Sequence, residues 1–547
     1  MASLTQKASG VGRDKHPRKQ DKFLQYGTAG FRTKAEDLDH VIFRMGLLAV
    51  LASKARKATI GMMITASHNP EEDNGVKMID TMGEMMPREW EVYSTELANV
   101  SDEKISEILE KIIASEKIDM SVEAHVSYAR DTRPSSASLA HALMEGIQAL
   151  DGKFQDFGLL STPQLHYIVC CKNTQGKYGT PTEDGYYEKL SESAFIKFYL
   201  KWEKEGTYQD TLYLDAANGV GALKVQLILK HLNDTLRINL FNDGSSGKLN
   251  FQCGADFVKL QQTSPVGMTL EPGRQCISFD GDADRIMYFF QDQAGKFHML
   301  DGDKQAALIA GYLQELVTQS GLTLNLGLVQ TAYANGSSTN YITEQMVVPV
   351  ACVPTGVKHL HHKAKDFDVG VYFEANGHGT VIFNDKATDQ ILNAAGSDSN
   401  TAEQKMAAKR LAVLMDVINQ TVGDAISDML IVDAILYARG WSIEDWDKCY
   451  TDLPNRQLKV KVSDRTAITT TDAERKVVTP EGLQAAIDQL VTGYKQGRSF
   501  VRPSGTEDVV RVYSEADTRE SADSLAYEVG LKVYELAGGV GDKPVKP

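Results

Sequence analysis

The chain lacks a long apolar run. Residues 1–20 are polar and carry both charge signs, which excludes a signal peptide in this stretch. The most apolar early stretch, 41–52, is too short to cross a bilayer and is interrupted by Arg44. These absences predict a cytoplasmic protein with no membrane partner.

Cysteine is also scarce. The 547 residues include 6 cysteines, with no CxxC pair and no histidine joining them at the spacing of a zinc site. This excludes a disulfide scaffold and a zinc finger, and it favours a reduced chain.

Positive charge is in short supply as well. There are 58 Lys and Arg residues against 73 Asp and Glu, for a net charge of −15. No general basic field exists to attract nucleic acid or an anionic membrane, so an anionic ligand must be held by local cations. We expect a small-molecule partner, no nucleic acid and no obligate protein partner.

The length exceeds what one core supports and indicates three or four domains. Strands alternate with helices over most of the chain, which predicts an α/β class with parallel sheets. The composition then shifts near Leu453 towards a smaller α+β unit. The predicted domains are 1–188, 189–300, 301–452 and 453–547. We expect 384–401 to be an irregular surface excursion before a long helix over 402–422.

Ser67 follows a predicted strand in Thr65-Ala66-Ser67-His68-Asn69-Pro70. The plainest interpretation is a turn residue that caps a helix. A Ser-His-Asp hydrolase would usually carry Gly-x-Ser-x-Gly, but Ala66 and His68 flank this serine. Neighbouring side chains are also expected to diverge, which makes His68 a poor base for Ser67. A phosphoserine, with a cation nearby to offset its charge, is the better hypothesis.

Asp280, Asp282 and Asp284 alternate directly after another predicted strand. They could form a solvated acidic turn. A calcium loop of the EF-hand type is excluded, because Arg285 stands where Gly is needed and Gln291 where Glu is needed. Few protein ligands plus a phosphate oxygen suit one Mg²⁺ ion per chain. Arg285 is expected to point away from the metal, towards substrate.

The third motif is a candidate anion site near the carboxyl end. A guanidinium, two hydroxyls and a flexible glycine could cradle a phosphate, although an ordinary turn would look the same. Arg511 follows as a further cation, and Arg32, after a glycine-rich stretch, is a second candidate phosphate contact. The residues of this motif are Arg502, Pro503, Ser504, Gly505 and Thr506.

Other polar positions are less specific. Glu374 and Asn376, with Ala375 between them and His378 beyond, could read sugar hydroxyls or form a strand-end turn. Lys77 could act as acid or base, or be merely solvated. Lys358 and the three histidines after it could bind zinc, but the apolar helical setting favours a partly buried helix face.

Together these motifs resemble the α-D-phosphohexomutase superfamily from Gly27 to Arg511. Within it, the chain is most similar to eukaryotic phosphoacetylglucosamine mutases of the fungal type. Those enzymes carry the Arg-Asp-x-Arg-x-Ser segment, here 130–135, after the serine loop. Glu374-Ala375-Asn376-Gly377-His378 also differs from the Glu-x-Ser-Gly-His pattern of glucose- and mannose-phosphate mutases. Asn376 stands in the place of that serine, and this suits a substrate with an N-acetyl group. Thr355 and Gly356 match the third-domain loop, where Val357 replaces the histidine of some relatives.

The resemblance implies four domains around a central cleft, the first three mixed α/β and sandwich-like. It implies a phosphoserine enzyme that interconverts N-acetylglucosamine 6-phosphate and 1-phosphate, towards UDP-N-acetylglucosamine. The sugar 1,6-bisphosphate would be the activating intermediate. Ser67 would bind the metal with the three aspartates, while His68, Lys77 and Arg32 would assist catalysis. Arg285, Lys358 and the other motif residues would bind substrate. A mutase for glucose, mannose or glucosamine phosphate, or a non-catalytic sensor of sugar phosphate, are the alternatives.

Overall fold

The computed structural model describes residues 3–19, 21–191, 206–232, 236–504 and 508–546. The chain divides into two compact units. Unit 1 comprises Met1–Asp301, Asn376–Thr380 and Lys409–Ile443. Unit 2 comprises Gly302–Ala375, Val381–Ala408 and Glu444–Pro547.

The first sheet of unit 1 has five strands in the order β1-β3-β2-β4-β5. β2, β4 and β5 run parallel, whereas β3 pairs antiparallel with both β1 and β2. Ser67 therefore lies beyond the carboxyl end of a central strand, where parallel sheets place ligands. The strands are β1 Phe31–Lys34, β2 Thr59–Ile64, β3 Asp73–Ile79, β4 His125–Arg130 and β5 Lys153–Leu159.

The helix Asp39–Arg56 is the centre of this core. Its residues from His40 to Lys54 are all buried, and it packs against Ser136–Ala149 and β2. The apolar run over 41–52 is thus a core helix, as a segment this short and apolar should be. The other helices of this part are Leu4–Lys15, Arg88–Asn99, Ile105–Ser115, Thr162–Asn173 and Glu183–Leu190, with 3₁₀ turns at Ala35–Asp37 and Asp102–Lys104.

The second sheet of unit 1 has the order β10-β9-β8-β6-β7. β6 pairs parallel with β7 and β8, and β9 pairs antiparallel with β8 and β10. The Asp280 loop joins β8 to β9. The elements are β6 Thr211–Asp215, Val220–His231, β7 Arg237–Phe241, Ala255–Gln261, β8 Cys276–Phe279, β9 Ile286–Gln291 and β10 Phe297–Leu300, with Ala425–Arg439 also in unit 1.

The third sheet has the order β12-β11-β13-β14, with β11 parallel to β12 and β13. Glu374 follows β13 directly, so the predicted placement of all three motifs after strands is confirmed. The elements are Gly302–Ser320, β11 Leu326–Thr331, Gly336–Asn340, a π-helical turn Tyr341–Gln345, β12 Val350–Val353, Val357–Ala364, β13 Val369–Phe373, β14 Gly379–Phe383, Asp385–Gly396, Ala402–Val417 and Ile443–Asp447.

The last part of unit 2 is an antiparallel sheet, β15-β19-β18, with a small hairpin of β16 and β17 beside it. Its core is formed by aliphatic side chains of the sheet and two helices. The predicted change from parallel to α+β architecture is confirmed. The elements are β15 Asn455–Lys461, a 3₁₀ turn Arg465–Ala467, β16 Thr469–Thr471, β17 Lys476–Thr479, Leu483–Val491, β18 Arg498–Pro503, β19 Val509–Glu515 and Arg519–Leu536.

The expected irregular excursion over 384–401 is wrong, because most of it is the helix Asp385–Gly396. The Asn384 side chain caps this helix, and Ala387, Ile391 and Ala394 are buried at helical spacing. Small and polar residues conceal that narrow apolar stripe in the sequence. The helix predicted over 402–422 ends at Val417.

All six cysteines are free thiols. No helix among the described residues is long and apolar enough to span a bilayer. The α/β prediction is confirmed by the sheets, while the central cleft and the four domain boundaries stay predictions.

Candidate active site

Ser67 sits on the turn after β2 with a left-handed backbone, φ 52°. Its hydroxyl donates to Asp280 Oδ2 over 2.7 Å and lies 3.3 Å from His68 Nδ1. The expectation that the Ser67 and His68 side chains diverge is therefore wrong, and the left-handed turn is the reason. The hydroxyl contacts Asp280 directly rather than through a histidine, which is not the order of a Ser-His-Asp relay.

The turn is held from behind by groups the sequence analysis missed. The buried Arg133 guanidinium donates to Ser67 O and Asn69 O, both over 2.9 Å, and also to Pro70 O. Asn250 Nδ2 donates to the same Ser67 O over 2.8 Å. The sequence indicates Arg133 only as part of the Arg-Asp-x-Arg-x-Ser segment over 130–135, through the position of that segment after the serine loop. Its place after β4, next to β2 in the sheet, is the signal that could have revealed it.

The aspartate loop approaches the serine turn closely. Asp280 Oδ1 accepts the backbone N–H groups of Asp284 and Arg285 over 3.1 and 3.2 Å, which fixes the loop. A Cβ atom on Gly281 would lie 2.7 Å from Ser67 O, so only glycine fits there. Thr162 Oγ1 donates to Asp282 Oδ2 over 2.5 Å, another contact with no sequence signal.

Lys77 partly balances the three carboxylates. Its ammonium group donates to Asp282 Oδ2 over 3.2 Å and to Asp284 Oδ2 over 2.9 Å. Burial would lower the pKa of Lys77, but Asp282 and Asp284 raise it above the ordinary value. Lys77 is thus a half-buried ion-pair partner here, and the merely solvated alternative does not hold.

Asp280 and Asp284, the first and last carboxylates of the loop, have pKa values shifted in opposite directions. Burial, followed by the negative charges of Asp284 and Asp282, raises the pKa of Asp280 well above its usual value. Burial opposes ionisation of Asp284 too, yet Lys77 and His378 hold the pKa of Asp284 well below its usual value. One ammonium group does not satisfy all three carboxylates.

The donor set fits a hard divalent cation. Oxygen atoms of Asp280, Asp282 and Asp284 lie within 4.8 Å of one another, the only such cluster among the described residues. Asp282 Oδ1 and Asp284 Oδ1 are buried without a hydrogen-bond partner. Carboxylate oxygens that are buried close together are ligands of the kind Mg²⁺ prefers, and burying their charges without a cation is costly.

Arg285 stays beside the carboxylates. Its Nε atom lies 3.8 Å from Asp284 Oδ1 and 3.9 Å from Asp280 Oδ2. This differs from the expectation that the side chain points away from the metal ligands, because their charge attracts it.

The positive charge of Arg285 acts on the side chains of both Arg32 and His68. Arg32 Nη1 is buried without a hydrogen-bond partner, and burial followed by Arg285 lowers the pKa of Arg32. Burial and the charges of Arg285 and Arg32 also lower the pKa of His68 well below its usual value. A half-buried guanidinium near His68, with one nitrogen lacking a hydrogen-bond partner, suits a phosphate oxygen.

His378 also reaches the acidic loop, since its Nδ1 lies 2.6 Å from Asp284 O. Asn376 Oδ1 accepts the His378 N–H over 3.1 Å, which shapes the turn after β13. Gly377 has φ 82° and its carbonyl accepts from Ile286 N–H. Glu374 and Ala375, which belong to unit 2, are half-buried on the same segment.

In unit 2, three cross-strand pairs line one face of β18 and β19. Arg498 faces Glu515, Phe500 faces Tyr513, and Arg502 faces Arg511. The first is an ion pair, the second a stacked aromatic pair, and the third places like charges opposite one another. Directly opposed like charges destabilise a sheet unless an anion lies between them.

The arginine pair is incompletely satisfied. Arg502 Nε donates to the Tyr333 hydroxyl over 3.2 Å, and Arg511 Nε is buried with no hydrogen-bond partner. Burial opposes the charge, but Tyr333 and Glu474 raise the pKa of Arg502. Pro503 and Ser504 follow on the same strand end, with Ser504 N–H bonded to Val509 O. Gly505 and Thr506 fall outside the described residues.

Thr355 and Gly356 precede the helix Val357–Ala364, on which Lys358 is half-buried. The Thr355 N–H and hydroxyl donate to Glu474 over 2.9 and 2.5 Å, and Arg502 Nη1 donates to the same carboxylate over 3.3 Å. Thus Thr355 and Arg502, distant in sequence, converge on Glu474. The zinc alternative is not supported, because His361 bonds the Tyr372 hydroxyl while His359 and His362 are exposed.

Family models match most of the chain. "Phosphoacetylglucosamine mutase AMG1, domain II" matches residues 179–287 and "domain III" matches 301–441. "Phosphoglucomutase/phosphomannomutase, alpha/beta/alpha domain I" matches 10–95 and 95–177, and the "C-terminal domain" of that family matches 458–531.

Curated and solved proteins agree with these models. The chain is 55% identical to human phosphoacetylglucosamine mutase over 97% of both chains. It is 46% identical to the Aspergillus fumigatus N-acetylphosphoglucosamine mutase solved with GlcNAc-6P and magnesium, covering 97% and 99% of the two chains with a TM-score of 0.92. A variant of that protein solved with glucose 1,6-bisphosphate gives 46% identity, 99% and 100% coverage and a TM-score of 0.91.

Proposed function

Since the chain belongs to the phosphoacetylglucosamine mutase family of the α-D-phosphohexomutase superfamily, we propose that it moves phosphate through Ser67. The enzyme is an isomerase that interconverts N-acetylglucosamine 6-phosphate and N-acetylglucosamine 1-phosphate. The observation that carries the assignment to Ser67 is its hydroxyl, 2.7 Å from one member of a buried three-aspartate cluster. An alcohol beside a cation-binding cluster is what phosphoryl transfer requires.

The reaction balances without an external phosphate donor. Phosphorylated Ser67 gives its phosphoryl group to the free sugar hydroxyl: the Oγ–P bond breaks, a sugar O–P bond forms, the sugar hydroxyl proton goes to a base, and the released Ser67 Oγ takes a proton. The product is the 1,6-bisphosphate. After the bisphosphate presents its other end, the second phosphoryl group returns to Ser67: the other sugar O–P bond breaks, the Oγ–P bond forms again, the Ser67 hydroxyl gives up its proton, and the vacated sugar oxygen takes one.

Asp280, Asp282 and Asp284, with the Ser67 oxygen or its phosphate, would hold Mg²⁺. When bound, this ion supplies positive charge where negative charge develops on the transferring group. Lys77, Arg32 and His68 supply further positive charge or hydrogen bonds at the serine turn. Arg133 and Asn250 hold the Ser67 carbonyl, so the nucleophile keeps its direction. Lys77, His68 and His378 are the candidates for moving the proton.

The distal phosphate is assigned to unit 2. Arg502 and Arg511, opposed across two strands, would grip it, aided by Ser504 and by Pro503, Gly505 and Thr506 of the same loop. This grip is indifferent to ring orientation, so it serves either end of the sugar. The remaining assigned contacts to the sugar phosphate are Arg285, Thr355, Gly356, Lys358, Glu374, Ala375, Asn376 and His378.

We further propose that four domains, with boundaries near 188, 300 and 452, surround a central cleft. The enzyme would act in the cytoplasm on the route to UDP-N-acetylglucosamine, without nucleic acid, membrane or an obligate protein partner.

Phosphorus NMR of the purified protein with N-acetylglucosamine 6-phosphate and Mg²⁺ tests the activity. The 6-phosphate signal should give way in part to a 1-phosphate signal, reaching the same final ratio from either end. Glucose 6-phosphate serves as the comparison substrate and should convert more slowly. Equal or faster conversion of glucose 6-phosphate would mean that glucose phosphate is the preferred substrate. If neither sugar phosphate is converted, the alternative of a non-catalytic sensor of sugar phosphate would be favoured.

A further inference from the structure

Glu474 belongs to the turn between β16 and β17 and lies outside every motif considered above. Asp472, Ala473 and Glu474 have φ values of 53°, 54° and 69°. Three successive non-glycine residues in the left-handed region carry a free-energy cost, and such strain concentrates at ligand sites. The turn presents the Glu474 carboxylate to its neighbours despite this cost.

Three donors converge on that carboxylate. The Thr355 N–H and hydroxyl bind Glu474 Oε2, and the Arg502 Nη1 group binds Oε1. A backbone N–H, a hydroxyl and a guanidinium are the donors that a phosphate group takes in proteins. Glu474 is half-buried, with 18% of its side chain exposed, so the carboxylate is only partly solvated.

A second glutamate, Glu515 at the end of β19, shows how an arginine is held by a structural ion pair. Glu515 receives Arg498 Nε and Nη2 over 2.8 and 3.0 Å, and Tyr513 and Gly336 donate to it as well. Arg498 also donates to Ala332 O and Ala334 O. By contrast, the Arg502–Glu474 contact is a single one of 3.3 Å. Arg498 therefore has a structural role, whereas the contact of Arg502 with Glu474 is longer and singly bonded.

We propose that Glu474 sets the affinity for substrate by occupying, as an internal anion, the donors of Thr355 and Arg502 that the sugar phosphate must take. This inference rests on the proposed function, in which Thr355 and Arg502 bind substrate. A phosphate dianion displaces the carboxylate because it carries more charge and more acceptor oxygens. Part of the intrinsic binding free energy is spent on that displacement, so the apparent affinity is lower than the donors alone would give.

The experiment compares Glu474→Gln and Glu474→Ala with the wild-type enzyme. The measurements are KM for N-acetylglucosamine 6-phosphate and the inhibition constant of inorganic phosphate. Both constants should fall about fivefold in each variant, as expected for removing one partly exposed competing charge. Glu474→Gln keeps the shape of the side chain, so a gain in affinity there reports on charge rather than on packing.

Asp472→Asn is the matched control. It removes one negative charge from the same turn, but Asp472 pairs with Arg475 and contacts neither Thr355 nor Arg502. Its KM should stay within about twofold of wild type. An equal fall in Asp472→Asn would mean that general charge alone is responsible and would overturn the proposal.

Arg502→Ala separates this inference from the function beneath it. If Arg502→Ala raises KM while the Glu474 variants leave it unchanged or raise it, Glu474 is a structural partner and the inference fails. If Arg502→Ala leaves KM unchanged, the phosphate grip itself is wrong. Lower KM in both Glu474 variants together with higher KM in Arg502→Ala supports both.

Discussion

The acidic cluster of unit 1 and the arginine pair of unit 2 are opposite solutions to holding charge. In unit 1, three carboxylates of one short loop lie beside the Lys77 ammonium group and the Arg285 guanidinium, and two of their oxygens have no hydrogen-bond partner. In unit 2, two guanidinium groups face each other across neighbouring strands, with the Glu474 carboxylate beside one of them. The first region needs a cation and the second an anion.

The contacts around Ser67 and around Arg502 also suggest different roles, namely positioning a side chain in unit 1 and binding a ligand in unit 2. Around Ser67, Arg133 and Asn250 fix the backbone, which fits the proposal that Ser67 carries the reacting atom. Among the described residues, the hydrogen bonds of Arg502 are two, of 3.2 and 3.3 Å, which fits the proposal that this side chain accepts a ligand. We therefore expect changes in unit 1 to act on kcat and changes in unit 2 to act on KM.

The largest expected effect comes from Ser67→Ala. Loss of the phosphoryl carrier should lower kcat by more than about 10⁴-fold while leaving substrate affinity nearly unchanged, because no step can proceed without the oxygen. Steady-state kinetics and calorimetric titration of substrate check this. Ser138→Ala, on an exposed helical position, is the control. Substantial turnover in Ser67→Ala would remove the serine from the mechanism.

Asp282→Asn should come next. Removing one ligand charge should lower kcat by roughly 10²- to 10³-fold at saturating Mg²⁺ and raise the Mg²⁺ concentration needed for half-maximal rate. Chelation of the wild-type enzyme should abolish activity, and added Mg²⁺ should restore it. An unchanged Mg²⁺ requirement in Asp282→Asn would place the metal elsewhere.

Two arginines on one strand sharpen the contrast within unit 2. Arg502→Ala should raise KM roughly 10- to 100-fold with little change in Tm, because its hydrogen bonds to the described residues are only those to Tyr333 and Glu474. Arg498→Ala should instead lower Tm by roughly 5 °C or more, because it leaves the buried Glu515 carboxylate without its ion-pair partner. Kinetics and thermal unfolding of both variants distinguish them. Similar effects of the two changes would refute the division between binding and structure.

The smallest effect concerns the scaffold of unit 1. Although burial opposes it, hydrogen bonds to Asp39 and Glu145 raise the pKa of His16. A raised folded-state pKa means that His16 contributes stability at pH below about 6.5, and this contribution is lost as pH rises through the raised value. The wild-type Tm should fall about 1–2 °C more than that of His16→Gln between pH 6 and 9. Identical pH profiles would exclude the contribution.

The sequence predicted those parts of the site that lie close together along the chain. Asp280, Asp282 and Asp284 could be assigned because one loop after one strand carries all three. The same holds for the strand before Ser67, whose run of apolar residues is continuous. The helix Asp385–Gly396 was missed because three small or aliphatic residues form its only buried stripe.

What the sequence could not predict depends on distant pairing. Arg133 and Asn250 reach Ser67 O from 66 and 183 residues away. The opposition of Arg502 and Arg511 depends on strand register, which no local pattern specifies. The contact between Ser67 and His68 depends on one left-handed residue, which reverses the expected direction of the side chains.

Intact mass and peptide mapping of the purified enzyme, before and after excess N-acetylglucosamine 6-phosphate, test phosphoryl transfer through Ser67 most directly. We expect a species carrying one phosphate group on Ser67 that loses this group when substrate is added. A fully active enzyme that never carries phosphate, or carries it on another residue, would exclude transfer through Ser67.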